Sequence, residues 1–361
     1  MTTSAGIGNA TQNPTLVEMA MAYSRSRMVC AAARLGIADA LAGGERNVDE
    51  LAKDCAADRD SLYRLLRALA IFGITSETTP GKFVLAPLGQ PLRKDAPNSV
   101  WPAVVFWADL LAESWAYFTD CVRTGQRSMK LMESQGIVSR WYTDPEAQGI
   151  FRAVMGTAPA EDYMPIAQAW DFSRRRVVAD LGGGGGSLIS AILKNHANLS
   201  GMLVDRQLSV EAAAPRLAED GLAERCKLIA ADLLESVPAG ADVYAMKHVL
   251  HGYNDDVAIK LLKNCRAVIP PDGALLIIEF VLPDVISQPN PSLEFLLMSD
   301  LNMMAVTGGK ERSPAEWKPL LAAGGFEMRR IIPVVAKDKF ANNVAVVGGV
   351  SIIEAAPAPA A

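Results

Sequence analysis

Hydrophobic and polar positions follow two different rhythms along this 361-residue chain. Before residue 171 the apolar positions recur at helical spacing. Leu62, Leu65, Leu66 and Leu69 stand at i, i+3, i+4 and i+7, which predicts one buried helix face. Gly73 predicts the end of that helix, and Thr79-Pro80-Gly81 predicts a turn between β-prone residues around Ile74 and Phe83. Helices followed by a hairpin outline a winged helix. After the polar run 171–176 the pattern changes to short apolar runs at 177–181, 202–205, 227–230, 242–246 and 274–280, separated by helical stretches. Two more β-rich runs follow at 330–335 and 343–350. Strands alternating with helices predict a doubly wound parallel sheet, which binds ligands at the carboxyl ends of its strands.

This gives a mainly α, winged-helix-like domain over 13–100, a helical segment over 101–170 and a Rossmann-like α/β domain over 171–354. The ends, 1–12 and 355–361, are small, polar or proline-bearing and are expected to be disordered. The middle segment is rich in aromatics: Trp101, Phe106, Trp107, Trp115, Tyr117, Phe118, Trp141 and Tyr142. Aromatics at that density suit a packed layer, an interface between chains or a pocket wall. Ser313-Pro314-Ala315-Glu316 combines a capping serine, a proline at the first helical position and a capping-box glutamate, a strong helix start.

Composition narrows the function classes. Half the residues are hydrophobic and 21% are charged, the balance of a soluble globular protein. No window approaches the roughly 18 apolar residues of a membrane span, and the N-terminus lacks the features of a secretory signal. Five scattered cysteines without a CxxC pair argue for reduced thiols in a cytoplasm and against a zinc site. A winged helix raises DNA binding as an alternative. However, residues 1–100 hold 11 Lys/Arg against 10 Asp/Glu, and the whole chain carries −5, so there is no basic face to exchange for phosphate counterions. No nucleic-acid partner is expected.

The most specific segment is Asp180-Leu181-Gly182-Gly183-Gly184-Gly185-Gly186, between an apolar run and a helix at 187–194. Glycines let the backbone turn tightly and approach a bound cofactor. The dinucleotide spacing GxGxxG is absent and DxGxGxG is present, which suits a cofactor without a pyrophosphate. Asp205, 25 residues after Asp180, ends the second strand and is placed to accept hydrogen bonds from ribose hydroxyls. Asp232, at the end of the third, could accept from an adenine amino group. The alternative is that these acids only cap helices.

With these residues in place, the second domain resembles the class I S-adenosylmethionine methyltransferases. The chain from about residue 15 to 350 is similar to the dimeric small-molecule O-methyltransferases, both the plant caffeate type and the bacterial secondary-metabolite branch. The resemblance rests on DLGGGGGSL (180–188), Asp205, AADLL (230–234), KHVLHGYNDD (247–256), Glu279 and GGKERSPAEW (308–317). At the N-terminal end, AARLGIADAL and LYRLLRALAIFGI match that family's dimerisation domain. The resemblance implies a homodimer using S-adenosyl-L-methionine, no metal, and a small aromatic or polyketide-like acceptor. It places Asp180, Gly182, Gly184, Asp205, Asp232, Leu233 and Lys247 at the cofactor. His251 falls at the general base, flanked by Glu279 and Glu311. Met298, Asn302, Met303, Val306 and His248 fall around the acceptor. The chain departs from the family at Gly252 and Tyr253, where His-Asp-Trp is usual, and at His248, where tryptophan is common.

A histidine with a pKa near 6.5 can take a phenol's proton as methyl transfer proceeds, and an acid on its far nitrogen would fix the tautomer. Along a strand, alternation would send His248 to the face opposite Lys247, and His196 reads as a solvated surface residue. Three other readings remain open at this point: a cofactor-binding relative that hydroxylates or cyclises, N-methylation, and a ligand-sensing winged-helix regulator.

Overall fold

The computed structural model describes residues 15–155, 159–290, 293–334 and 349–359, apart from the side chains of Trp141 and Tyr142. The expected disorder over 1–12, most of the run 343–350 and the last two residues lie outside them. The chain forms two compact units that divide after Leu110.

In the first unit, helix α1 (Leu16–Arg34) opens with a reciprocal capping box between Thr15 and Glu18. Helix α2 (Val48–Asp54) and helix α3 (Arg59–Ile71) follow. Leu62, Leu66 and Leu69 of α3 are buried and Leu65 is half-buried, as their spacing predicts. Gly73, at φ +72°, takes the left-handed conformation that stops the helix. Strands β1 (Thr75–Thr79) and β2 (Lys82–Leu85) form the expected hairpin, and a two-residue strand, Arg46–Asn47, adds to its β2 edge.

The second unit is built on a seven-stranded sheet. Strand β3 (Val177–Leu181) leads through the glycine loop into helix α4 (Ser187–Asn195). Strands β4 (Ser200–Asp205), β5 (Cys226–Ala230), β6 (Val243–Lys247) and β7 (Ala274–Glu279) follow. Helix α5 (Glu294–Val306) then precedes β8 (Phe326–Pro333) and β9 (Ser351–Pro357). The sheet order is β5-β4-β3-β6-β7-β9-β8; the first five strands are parallel and β9 runs antiparallel to both neighbours. Side chains alternate between two apolar layers: Leu276 and Ile278 of β7 face one, Leu275 and Ile277 the other. Ser313 caps the next helix as its sequence predicts, with Glu316 Oε2 accepting the Ser313 N–H at 3.0 Å.

Two expectations change. Residues 355–357, read as a disordered tail, are the end of β9: fully buried Ala355 pairs with both β7 and β8, and Ala356 and Pro357 pair with β8. The segment 101–170 is not one unit. Residues up to Leu110 group with the first unit, whereas the helices Leu111–Trp115, Phe118–Thr124 and Ser128–Ser134 pack on α5 in the second. Trp115 stacks on Phe118 at 4.8 Å and 16°, so these two aromatics belong to a packed layer.

Candidate active site

The strand order reverses between β3 and β6, so their carboxyl ends splay apart there and leave a crevice. Two segments of different chemistry meet at that edge: the glycine loop after β3 and residues 248–253 after β6.

Gly184 has φ +52°, and a Cβ added to it would meet nothing within 4 Å, so its outer side is open to a ligand. Gly182, at φ +72°, instead lies against Val249. Asp205 holds this loop from β4: its Oδ2 accepts the Gly184 N–H at 2.9 Å, and its Oδ1 accepts the Arg206 N–H at 2.6 Å. A carboxylate has about four lone-pair sites, so both oxygens retain capacity for further donors. Asp180 is buried beneath the loop, and its Oδ2 has no partner among the described residues. Burial pushes its carboxyl up to about 7, helped by the charge of Asp205 and opposed by an Ile189 N–H and by Lys247. The Lys247 ammonium lies 4.9 Å from the Tyr163 ring centroid. Asp232 stands past the end of β5 rather than on it; it is exposed and accepts the Leu234 N–H at 2.9 Å. Leu233 packs against one of the two apolar layers.

After Lys247 the chain leaves the strand at once. His248 has φ +52°, a left-handed conformation uncommon for a residue with a side chain. The alternation argument therefore fails at this residue. The His248 ring turns to stack on that of His251, centroids 5.0 Å apart at 28°. His251 lies in a short helical turn, Leu250–Gly252.

The two glutamates divide their work differently from the expectation that both orient His251. Fully buried Glu279, the last residue of β7, accepts the backbone N–H groups of Val249 and Leu250 at 3.0 Å and of His251 at 3.3 Å through Oε1. Its Oε2 accepts from His248 Nδ1 at 3.1 Å and lies 3.7 Å from His251 Nδ1. Glu311 Oε1 is the close partner of the His251 ring, accepting from Nδ1 at 2.8 Å. An ionised carboxylate only accepts, so His251 Nδ1 carries the hydrogen and the neutral ring keeps its lone pair on Nε2. The negative charge of Glu279 and the Glu311 hydrogen bond outweigh the opposing effect of burial and hold the His251 imidazolium above its usual range.

Arg312, which sequence reasoning did not single out, fixes the same turn. Its fully buried guanidinium donates to Leu250 O at 3.1 Å, to Tyr253 O at 2.9 Å and to Asp255 Oδ1 at 2.8 and 3.1 Å. Its charge beside Asp255 keeps that carboxyl below the ordinary range despite burial. The only signal in the sequence was its place within the GGKERS run.

Helix α5 supplies the facing wall. Asn302 is buried and accepts from Trp115 Nε1 at 3.2 Å, whereas Met303 and Val306 are half-buried and Met298 is 43% exposed. Ser299, also unforeseen, donates its hydroxyl to Glu311 Oε1 at 2.8 Å, and Asp300 Oδ1 accepts the Glu311 N–H at 2.9 Å. His196 stands apart from this edge. It is half-buried rather than solvated, with Nε2 3.1 Å from Ala167 O and its ring tilted on Phe172. His248, His251 and Glu279 bring one potential ligand atom each within 4.8 Å of one another. Both Nδ1 atoms of this grouping already donate to carboxylates.

Comparison with known proteins agrees with this geometry. Residues 115–327 match the model of the O-methyltransferase domain, and residues 17–95 that of the O-methyltransferase dimerisation domain. The phenazine O-methyltransferase PhzM of Lysobacter antibioticus is 33% identical over 342 residues, covering 95% of each chain. The O-methyltransferase NcsB1 from neocarzinostatin biosynthesis, solved with S-adenosylmethionine and 2-hydroxy-5-methyl naphthoic acid, superposes with a TM-score of 0.77 at 29% identity, over 98% of this chain and all of that one. The N,N-8-amino-8-demethyl-D-riboflavin dimethyltransferase RosA from Streptomyces davawensis gives 0.72 at 28% identity, over 95% of this chain and all of that one. The chain belongs to the S-adenosylmethionine-dependent O-methyltransferase family.

Proposed function

We propose that this enzyme methylates a hydroxyl of a small aromatic or polyketide-like metabolite, with His251 as the general base. The observation that carries the reading is the 2.8 Å bond from His251 Nδ1 to Glu311, which leaves the Nε2 lone pair for the acceptor's proton. Glu279 holds the turn that presents the ring, through three backbone N–H groups.

The open side of Gly184 and the unpartnered Oδ2 of Asp180 fit S-adenosylmethionine at the glycine loop. Bound there, the cofactor supplies a methyl group on a positively charged sulfur. Asp205 would accept from its ribose hydroxyls, with Asp180, Gly182, Gly184, Asp232, Leu233 and Lys247 lining the same site. Methyl transfer is mainly a matter of holding donor and acceptor in line. Asn302, Met303, Val306, Met298 and His248 would form the acceptor's walls. As the methyl group moves from the sulfonium to the acceptor oxygen, breaking its bond to sulfur and leaving a neutral thioether, the hydroxyl proton would pass to His251 Nε2. Holding the imidazolium above its usual range narrows the gap to a phenol with a pKa near 10, which favours that transfer. Transfer to nitrogen is the second reading, supported by the riboflavin-type dimethyltransferase among the structural relatives.

The functional assembly is a homodimer. The matched dimerisation domain includes α1, whose Leu16, Val17, Met19, Met21 and Tyr23 are all more than half exposed in the single chain. Apolar side chains gathered on one helix are costly to leave in water and suit a second copy. No helix among the described residues is long and apolar enough to cross a membrane. The five cysteines are buried free thiols, which supports a cytoplasmic setting.

Calorimetric titration with S-adenosylmethionine and S-adenosylhomocysteine, then a methyl-transfer screen over phenolic metabolites, tests the reading. Binding and product are expected; absence of cofactor binding contradicts it.

A further inference from the structure

We infer that Ser299 is a positioning residue that sets how tightly the His251 base holds its proton, acting through Glu311. This rests on the reading of His251 as the base. A serine within a helix has the carbonyl four residues back within reach of its hydroxyl. The Ser299 hydroxyl of α5 instead reaches across to Glu311 Oε1, the same oxygen that accepts from His251 Nδ1. The other oxygen, Oε2, is buried and has no hydrogen-bond partner among the described residues, so the described donors to this carboxylate converge on one atom.

Two donors on one oxygen share its electron density. The serine hydroxyl stabilises the negative charge of Glu311 and thereby weakens its pull on the His251 imidazolium. Without that donor, the carboxylate can offset its lost hydrogen bond only by holding the imidazolium more tightly. A base that releases its proton sooner is regenerated and ready at lower pH, which is what Ser299 provides. The other charges around the pair are fixed. Glu279, the His248 ring and Lys247 face His251. Asp300 faces Glu311, and burial and the Glu311 charge hold its carboxyl up. Lys310 and Glu316 act on Asp300 from the adjoining segment.

The test reads His251 directly. The chain has three histidines, so ring-proton NMR of the full-length protein gives three titration curves, assigned with His196→Gln and His248→Gln. Ser299→Ala should move the His251 midpoint up by about half a pH unit or more, leaving His196 in place. Ser299→Thr, which keeps the hydroxyl, should match the parent, and Ser299→Cys, with a weaker donor of similar size, should fall between. An unchanged or lowered midpoint in both Ser299→Ala and Ser299→Cys overturns the proposal, since a purely structural serine would not raise it. The titration needs neither cofactor nor acceptor, so it is separate from the base assignment. If His251→Ala stayed active, the base reading would fail while the titration result stood.

Discussion

A Cβ added at Gly309 would lie 2.0 Å from the carbonyl oxygen of His251. The loop that carries Glu311 and Arg312 is therefore pressed against the turn that carries the base, backbone to backbone, with no room for a side chain. That contact places the Glu311 carboxylate on the imidazole and the Arg312 guanidinium under the turn. Gly309→Ala must push the two segments apart. It should lower kcat at least about tenfold, because small misplacements of catalytic groups are costly, while calorimetry shows cofactor affinity largely kept.

The environment of His251 fixes a pH dependence. Glu279 and Glu311 hold its proton above the usual histidine value of about 6.5. The base acts when neutral, so kcat/KM should rise with pH through a midpoint above about 6.5. Stability runs the other way. The folded state binds this proton more tightly than the unfolded chain, so the contribution is full below about pH 6.5 and is lost as pH rises through the folded value. A rate profile with its midpoint below that of a free histidine would contradict this placement.

Arg312 fastens the turn to the body of the domain. Arg312→Met would leave the Leu250 and Tyr253 carbonyls without this donor, at about 1–3 kcal/mol for each buried group left unpaired. Denaturant unfolding should show that loss, along with reduced activity. Lysine should not restore it, since one ammonium cannot reproduce a planar fork.

Gly252 stands where the family resemblance implies an acid. A Cβ there meets nothing within 4 Å, so Gly252→Asp should be tolerated to within about 0.5 kcal/mol. Its effect should appear in the acceptor's KM and not in cofactor affinity. A change confined to cofactor binding would place Gly252 on the other side of the site.

Much of the sheet could be read directly from the chain. The run at 177–181 is strand β3 to the residue, because a strand buried on both faces shows as a mostly apolar stretch, here interrupted only by Asp180. The β9 residues Ala355–Ala356–Pro357 could not be read that way. Small residues with prolines look like a tail in isolation, and only the neighbouring strands β7 and β8 give them ladder partners. In the site, Asp205 ends its strand where the sequence placed it, whereas His251, placed only by the family resemblance, lies in a turn beyond the end of β6. His248 was assigned a strand's alternation that its left-handed backbone breaks. Ser299, Asp300 and Arg312 act through hydrogen bonds that join segments distant in sequence. Periodicity carries no trace of such bonds.

The most direct test of the central claim is the methyl-transfer rate of His251→Ala on a phenolic acceptor, measured beside its calorimetric affinity for S-adenosylmethionine. Loss of a positioned general base should cost on the order of 10²-fold or more in kcat with cofactor affinity unchanged. Near-parental turnover at normal cofactor affinity would show that His251 is not the base.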